Sequence, residues 1–516
     1  MKFIAGLAFL VFAATALGGE RINQEGRILG PVPVVTQPIL FNTAAADAVV
    51  AAMQIMPVTS AWNEDVSRLP LLANSDAMIA QITSDLAANR RTLRAFFEMN
   101  YVLVPDNQPT QPIRFFNYPD ESDLDGGTSP NGLYPIPPTL PVETWPNQTG
   151  ALTLAQWQQD VNNTGGDRHA IMVKPGAGFI WETWLTRLVS GAWQASNGAK
   201  FDLKSNTLRP AGWTSGDAAG LPMFPALVRF DECERGMVEH AVRLVVKRTR
   251  VGPIYPATHQ ASVGSTTSPD IPAMGQRLRL KASFVIPASW TKQEKAVCLG
   301  LKKYGGIVAD NGGFLSFSVC PDDRFPANAF GNLSTIAISN FEVVQSTGAT
   351  QGPRAPGAPS ASAGSEQVIP FGAAATLQGS VSASGSTPVV QWRKYAGPGT
   401  VSFGNVAQAA TTAGFSLPGT YTLILSADDG AHAVAFDAVT INVVLTAEGS
   451  ASGNDFVVHF PTLAGRTYQI EESTDLSPTS WTAVANNLSG NGSPIHVPVI
   501  GALSKAKAFY RVQVLP

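Results

Sequence analysis

The side chains best suited to acid–base chemistry in this chain cluster between residues 165 and 260. Glu182 stands in Phe179-Ile180-Trp181-Glu182-Thr183-Trp184, where aromatic neighbours would desolvate a carboxyl and raise its pKa, the condition for a general acid. If Trp181 and Trp184 are core instead, Glu182 lies on the wet side. Asp217 lies in residues 206–222, a stretch with neither helical nor strand period that nonetheless holds Arg209, Trp213, Asp217 and three glycines. Such a loop costs ordering entropy and is usually kept where a scaffold presents a site. Asp217 has a rival use as the cap of a short helix begun at Asp217-Ala218-Ala219. Asp231 follows Arg229 by two residues on an expected strand, so the two share a face and form a pair suited to substrate positioning. His169, at the mouth of the apolar run Ala170-Ile171-Met172-Val173, and His259, in a Pro-constrained loop, complete the catalytic candidates. Both read equally well as ordinary turn residues.

Two carboxylates flanking a glycosidic bond would supply acid and base, while Trp184 and Trp213 stack on sugar rings and Arg209 and Arg229 position them. His240 is expected to be buried and hydrogen-bonded. His432, His459 and His496 read as structural or exposed. No His-x-His or His-Glu-x-x-His spacing marks a metal centre, although His169, His240 and His259 could converge in a β-sandwich. The acidic run Asp120-Glu121-Ser122-Asp123-Leu124-Asp125-Gly126-Gly127 is a candidate Ca²⁺ loop without the distal Glu of an EF-hand, and a solvated loop is its other reading. No other cofactor is indicated. A Gly-x-Ser-x-Gly elbow, a phosphate-binding Gly loop and a dinucleotide fingerprint are all missing.

Positioning these residues falls to short elements. Asn74-Ser75-Asp76 offers a helix start, and Met78, Ile79, Ile82, Leu86, Leu93 and Phe96-Phe97 recur at helical spacing, with Arg90, Arg91 and Arg94 on the wet side. A second helix is expected over 291–304, with Lys292, Glu294 and Lys295 facing water, Val297, Leu299 and Leu301 facing inward, and Gly305-Gly306 ending it. Elsewhere residues 100–350 read as strands broken by Pro and Gly. With 47 Gly, 38 Pro and only 14% charged residues, the fold class expected is mainly β: a β-sandwich or jelly-roll-like main domain with a few helices and long loops, followed by two smaller β-sandwich modules. A balance of 35 basic against 38 acidic residues argues against nucleic acid as a partner. Met1-Lys2 followed by a short apolar run ending in small residues reads as a signal peptide over 1–18, too short for a membrane span, so the mature protein is expected to be secreted. Cys233, Cys298 and Cys320 fit either one disulfide with a spare thiol or three free thiols.

After a lead-in over 19–56, the main domain is expected over 57–345. A Gly/Ala/Pro/Ser linker covers 346–365. Residues 366–445, with Val389-Val390-Gln391-Trp392, Pro418-Gly419-Thr420-Tyr421 and Asp428-Asp429-Gly430, resemble a PKD-like, immunoglobulin-type module, which implies a spacer or adhesion role. Residues 446–516 resemble the C-terminal β modules of secreted proteins from polymer-degrading bacteria. In the main domain, Tyr118-Pro-Asp-Glu-Ser-Asp123, Tyr134-Pro-Ile-Pro137, Gly166-Asp-Arg-His169, Arg209-Pro-Ala-Gly-Trp-Thr-Ser215 with Asp217-Ala-Ala-Gly-Leu-Pro222, Arg229-Phe-Asp-Glu232, Pro256-Ala-Thr-His259 and Ala309-Asp-Asn-Gly312 together resemble a family of secreted bacterial proteins to which no activity is assigned. That resemblance implies one domain and supplies no mechanism. Trp181-Glu182-Thr183-Trp184 departs from it, standing where a Tyr-Glu-Leu-Tyr type run is expected. Three functions stay open: a glycoside hydrolase or lyase acting on extracellular polysaccharide, a non-catalytic binder of cell-surface glycan, and a His-ligated metal-dependent oxidase or lyase.

Overall fold

The computed structural model describes residues 21–147, 150, 152–159, 166–261, 266–345, 357–385 and 387–515. The expected signal peptide and most of the expected linker lie outside them. The protein is mainly β. Its described residues divide into two compact units, one of Asn23–Ala358 with Asp429–Ala433, the other of Pro359–Asp428 with Val434–Pro516.

The first unit is built on a five-stranded sheet ordered Ile39–Leu40, Val102–Leu103, Ala170–Lys174, Phe179–Trp184 and Asn197–Asp202. Alternation along these strands sends side chains into two different cores. Leu103, Ile171, Val173, Ile180 and Phe201 join the larger core. There they meet residues of a six-stranded mixed sheet, ordered Phe341–Val343, Arg277–Leu280, Gly306–Asn311, Val242–Val246, Leu315–Val319 and Leu93–Phe97. Val102, Ala170, Met172 and Trp181 face the other way, toward a four-stranded sheet of Asn131–Tyr134, Gln111–Phe115, Ala192–Ala195 and Arg187–Val189. The five-stranded sheet is thus the middle layer of three. Being covered on both faces, it reads as a continuous apolar run rather than an alternating one.

Several expected elements differ in the structure. The lead-in holds a helix, α1 (Ala44–Ala51), capped by Thr43; its alanines gave little periodic contrast. The next helix, α2 (Ser75–Ser84), buries Met78, Ile79 and Ile82 but ends early. Leu93–Phe97 is instead an edge strand paired in parallel with Leu315–Val319. Arg90 and Arg91 are exposed, as expected; Arg90 lies over the Phe314 ring at 4.6 Å, and Arg91 Nε donates to Leu86 O at 3.0 Å. A short helix, α3 (Leu154–Gln158), follows a Thr153–Gln156 capping box. Residues 229–235 are not a strand: Arg229 precedes α4 (Phe230–Arg235), which Gly236 terminates at φ 98°.

The fifth helix, α5 (Lys292–Lys303), forms where expected, with Thr291 as its cap. Its inward stripe is Glu294, Val297, Cys298 and Leu301, the i, i+3, i+4, i+7 set. Glu294 therefore faces inward rather than to water, and Leu299 is exposed. The carboxylate is buried because it closes the capping box and accepts Asn332 N–H at 2.7 Å. All three cysteines are buried free thiols.

In the second unit, a four-stranded sheet (Gln367–Pro370, Ala435–Val444, Gly419–Asp428, Val389–Ala396) accompanies a three-stranded one (Ala375–Gln378, Ala410–Phe415, Val401–Phe403). Trp392 is buried in their core, as its position at a strand centre suggests. Tyr421 donates its hydroxyl to Leu417 O, four residues upstream, at 2.7 Å, the corner found in immunoglobulin-type sandwiches. Two further three-stranded sheets follow, one of Glu448–Ser452, Asp455–Phe460 and Ile495–Val499, the other of Thr482–Ser489, Thr467–Ser473 and Phe509–Leu515.

Candidate functional site

The irregular stretch 206–222 is only half a surface loop. Pro210, Ala211 and Gly212 are exposed and Trp213 is half-buried, whereas residues 214–222 are buried apart from half-buried Ala218. Buried backbone must find partners, and here other loops and strands supply them. Thr214 N–H donates to Glu121 Oε2 at 3.0 Å, and Gly212 N–H to Thr258 O at 2.8 Å. Ala219 N–H donates to Ala309 O and Thr258 N–H to Ala219 O, each at 3.0 Å. Arg209 is buried against Asp123, and its Nε donates to Thr214 O at 2.8 Å. At Gly220, φ is +73° and a Cβ would stand 2.6 Å from Trp213 O, so only glycine fits.

Beneath the loop lies a buried charge network. Asp217, 2% exposed, accepts Arg243 Nε at 2.8 Å and its Nη2 at 3.0 Å, and Arg243 Nη2 also donates to Asp310 at 2.6 Å. Burial opposes the charge of Arg243, but Asp217 and Asp310 together raise its pKa. Asp217 caps no helix; its Oδ1 accepts the next residue's N–H at 2.9 Å. His169 Nδ1 lies 2.9 Å from Glu143 Oε2 and its Nε2 2.9 Å from Gly216 O. A carbonyl and a carboxylate both accept, so this geometry suits a ring protonated on both nitrogens. Burial disfavours that charge, yet Glu143 outweighs it and holds the pKa up to about 9.

Glu182 is fully buried on the larger-core face of its strand, not on a wet side. It accepts Phe224 N–H at 2.8 Å and Met223 N–H at 2.9 Å, tying the strand to the turn Phe224–Ala226. Burial pushes its pKa up to about 7, and does the same to Glu98. Sequence reasoning missed Glu98, Glu143 and Arg243. The signal for Arg243 was a lone charge inside Val242-Arg243-Leu244-Val245-Val246; Glu98 and Glu143, in irregular segments, gave none.

His169, Glu182 and Asp217 are therefore brought together, and His259 joins through Nδ1, 2.6 Å from Ala218 O. Asp231 and Arg229 lie elsewhere. Their expected pairing is replaced by Arg229–Glu232 at 2.8 Å and Asp231–Arg235 at 2.5 Å, because helical spacing joins i to i+3 and i+4. Arg229 holds the Glu232 carboxylate down to about 2 against the effect of burial, and His240, buried as expected, approaches it at 3.2 Å. Arg229, Asp231, Glu232 and His240 line a cavity of about 30 Å³, room for water rather than a sugar ring. In the acidic loop, Asp123 meets Arg209, and Asp125 meets Lys200 at 2.6 Å. Among the described residues no three or more His, Cys, Asp or Glu side chains gather around a metal position, whether in this loop or among His169, His240 and His259.

What does reach solvent is aromatic. Tyr118, 42% exposed, stacks on half-buried Trp184 with ring centroids 6.4 Å apart and planes at 27°. Beside them the Arg187 guanidinium lies 4.5 Å over the Phe116 ring. Ser196 fixes the arrangement: its carbonyl accepts Tyr118 N–H at 3.0 Å, and its own N–H donates to Trp184 O at 2.7 Å. Glu121, three residues beyond Tyr118, holds the loop that carries Trp213, whose ring lies 5.5 Å from the Arg209 guanidinium.

No helix among the described residues is long and apolar enough to cross a membrane. No protein-family model matches the chain, and no curated protein matches it. Among solved structures, it is similar to the D00-D0 domain of intimin at 9% identity, covering 31% of this chain and all of that one, with a TM-score of 0.16. It is also similar to the Yersinia pseudotuberculosis adhesin InvE at 16% identity, covering 30% of this chain and 55% of that one, with a TM-score of 0.15. Scores this low decide neither fold nor function.

Proposed function

We propose that this is a secreted, non-catalytic glycan-binding protein, with the Tyr118–Trp184 stack as its contact surface and Trp213 beside it. The observation that carries this reading is a contrast in exposure. The carboxylates that would cleave a glycosidic bond, Glu182 and Asp217, are at most 2% exposed and fully engaged with protein donors, while Tyr118 is exposed and Trp184 and Trp213 are half-buried. Paired glycosidase carboxylates must flank the bond they cleave, and these two cannot be reached by a polymer without opening the core. Aromatic faces bind sugar rings without such opening.

Full-length protein incubated with a broad panel of polysaccharides, scored for both retention and released product, tests this. Retention without product is expected, and Tyr118→Ala and Trp184→Ala should each weaken it at least tenfold, about 1.4 kcal/mol. Product release that disappears in a folded Glu182→Gln variant would replace binding with catalysis.

A further inference from the structure

The strands Asp455–Phe460 and Ile495–Val499 carry a histidine pair that the glycan-binding reading does not use. His459 and His496 are direct cross-strand partners. Their neighbours Val458 and Phe460 are buried in the core, and alternation turns the two histidines to the opposite side. There His496 is exposed and His459 half-buried. The rings meet edge to face, centroids 4.5 Å apart and planes at 86°, with the Nδ1 atoms turned toward each other and in contact. Ser450 Oγ sits 2.7 Å from the remaining nitrogen of His459, orienting that ring. On the next strand Glu448 stands opposite His459, so Glu, His and His occupy one row across three strands.

Two imidazoles that turn the same nitrogen to one point can share a proton or share a metal ion. On a solvent-facing surface water competes with the shared proton. An ion held at about 2.0–2.1 Å from each nitrogen needs the two atoms only roughly 3.3 Å apart, a separation that side-chain torsions reach without moving either strand.

We propose that His459 and His496 form a surface site for one divalent transition-metal ion of the imidazole-preferring class, Zn²⁺, Cu²⁺ or Ni²⁺. Because no third ligating side chain is gathered there among the described residues, the two rings are the protein's ligands and water fills the other positions. The bound ion clamps the two strands together.

Untagged full-length protein titrated with ZnCl₂ by calorimetry at pH 7.5 should show this site. His459→Gln and His496→Gln should each weaken it at least tenfold, and so should titration at pH 5.5, since imidazole must be neutral to ligate. Both substitutions are on the solvent side, and an unchanged thermal transition of the metal-free variants shows that they fold. Electron paramagnetic resonance of the Cu²⁺-loaded protein should count two imidazole nitrogens, and one in either variant. Absence of binding heat, or wild-type affinity in either variant, overturns the proposal and leaves a shared proton as the contact.

Discussion

At the scale of single residues, Glu182, Asp217 and His169 are buried and hydrogen-bonded within the main body. Asp217→Asn removes one of the two carboxylates that ion-pair with buried Arg243, the other being Asp310. Breaking a buried pair from one side costs about 3–5 kcal/mol, so urea unfolding should show a loss of that order. Glu182→Gln sets an amide group against two backbone donors, and a loss of about 1–3 kcal/mol is expected. An unchanged midpoint in either variant contradicts the role assigned here. The importance of these residues was legible because each is a polar group where the local pattern offers no reason for one. Their roles were not, since partners such as Glu143 and Arg243 lie 26 residues from His169 and Asp217 along the chain. A carboxyl with its pKa raised by burial looks alike in sequence whether it faces a substrate or a backbone amide.

At the scale of elements, local rules held where they acted alone. Helix α5 carries Thr291 and Glu294 in a capping box, and Thr291→Ala should cost about 0.5–2 kcal/mol, readable as a lower thermal midpoint. Lys292 faces water and Val297 and Leu301 face inward as expected, while Glu294 and Leu299 exchange sides because position in the stripe, not charge, decides the matter. Beyond the end of α2 the helical spacing continues by coincidence through Leu86 to Leu93, where the edge strand begins. Arg229 and Asp231, expected on one strand face, take other partners, each one helical turn further along the chain. The stretch 206–222 has no element to predict, so its burial depends on contacts from several other segments, among them Glu121, His169, Arg243, Thr258 and Ala309. Gly220→Ala tests it: positive φ costs about 1–3 kcal/mol for a side chain, and the close approach to Trp213 O adds to that. A fully stable Gly220→Ala protein would mean that the loop is not held as described.

For the molecule as a whole, the β class followed from many short apolar runs between Gly and Pro, whereas the three-layer arrangement did not. A middle sheet covered on both faces hides its alternation, and only the contacts of Ile171 and Met172 with different cores reveal it. Burying so many ionisable groups also sets a pH profile. Glu98 and Glu182 rise from 4.5 to about 7 and His169 from 6.5 to about 9. Groups whose folded pKa is raised stabilise the fold below their unfolded value, and that contribution is lost as pH rises through the folded one. Glu232, lowered from 4.5 to about 2, acts in the opposite sense, its contribution present above 4.5 and lost in acid. Stability should therefore be greatest near pH 4.5, where Glu232 is ionised while Glu98 and Glu182 still hold their protons in the fold, and decline from there toward pH 9. Denaturant midpoints that stay level or climb from pH 5 to pH 9 would refute this.

The three free cysteines make the opening of the main body measurable without any engineered label. Cys233 lies in α4, Cys298 in α5 and Cys320 just beyond the strand Leu315–Val319, and burial raises the pKa of each thiol, that of Cys298 to about 12. A thiol reacts as the exposed thiolate, so an alkylating reagent can reach these positions only when the surrounding structure opens. Three native clocks thus run on adjoining elements of one core. If the charge network under residues 214–222 fastens the layers into a single cooperative unit, all three will keep the same time.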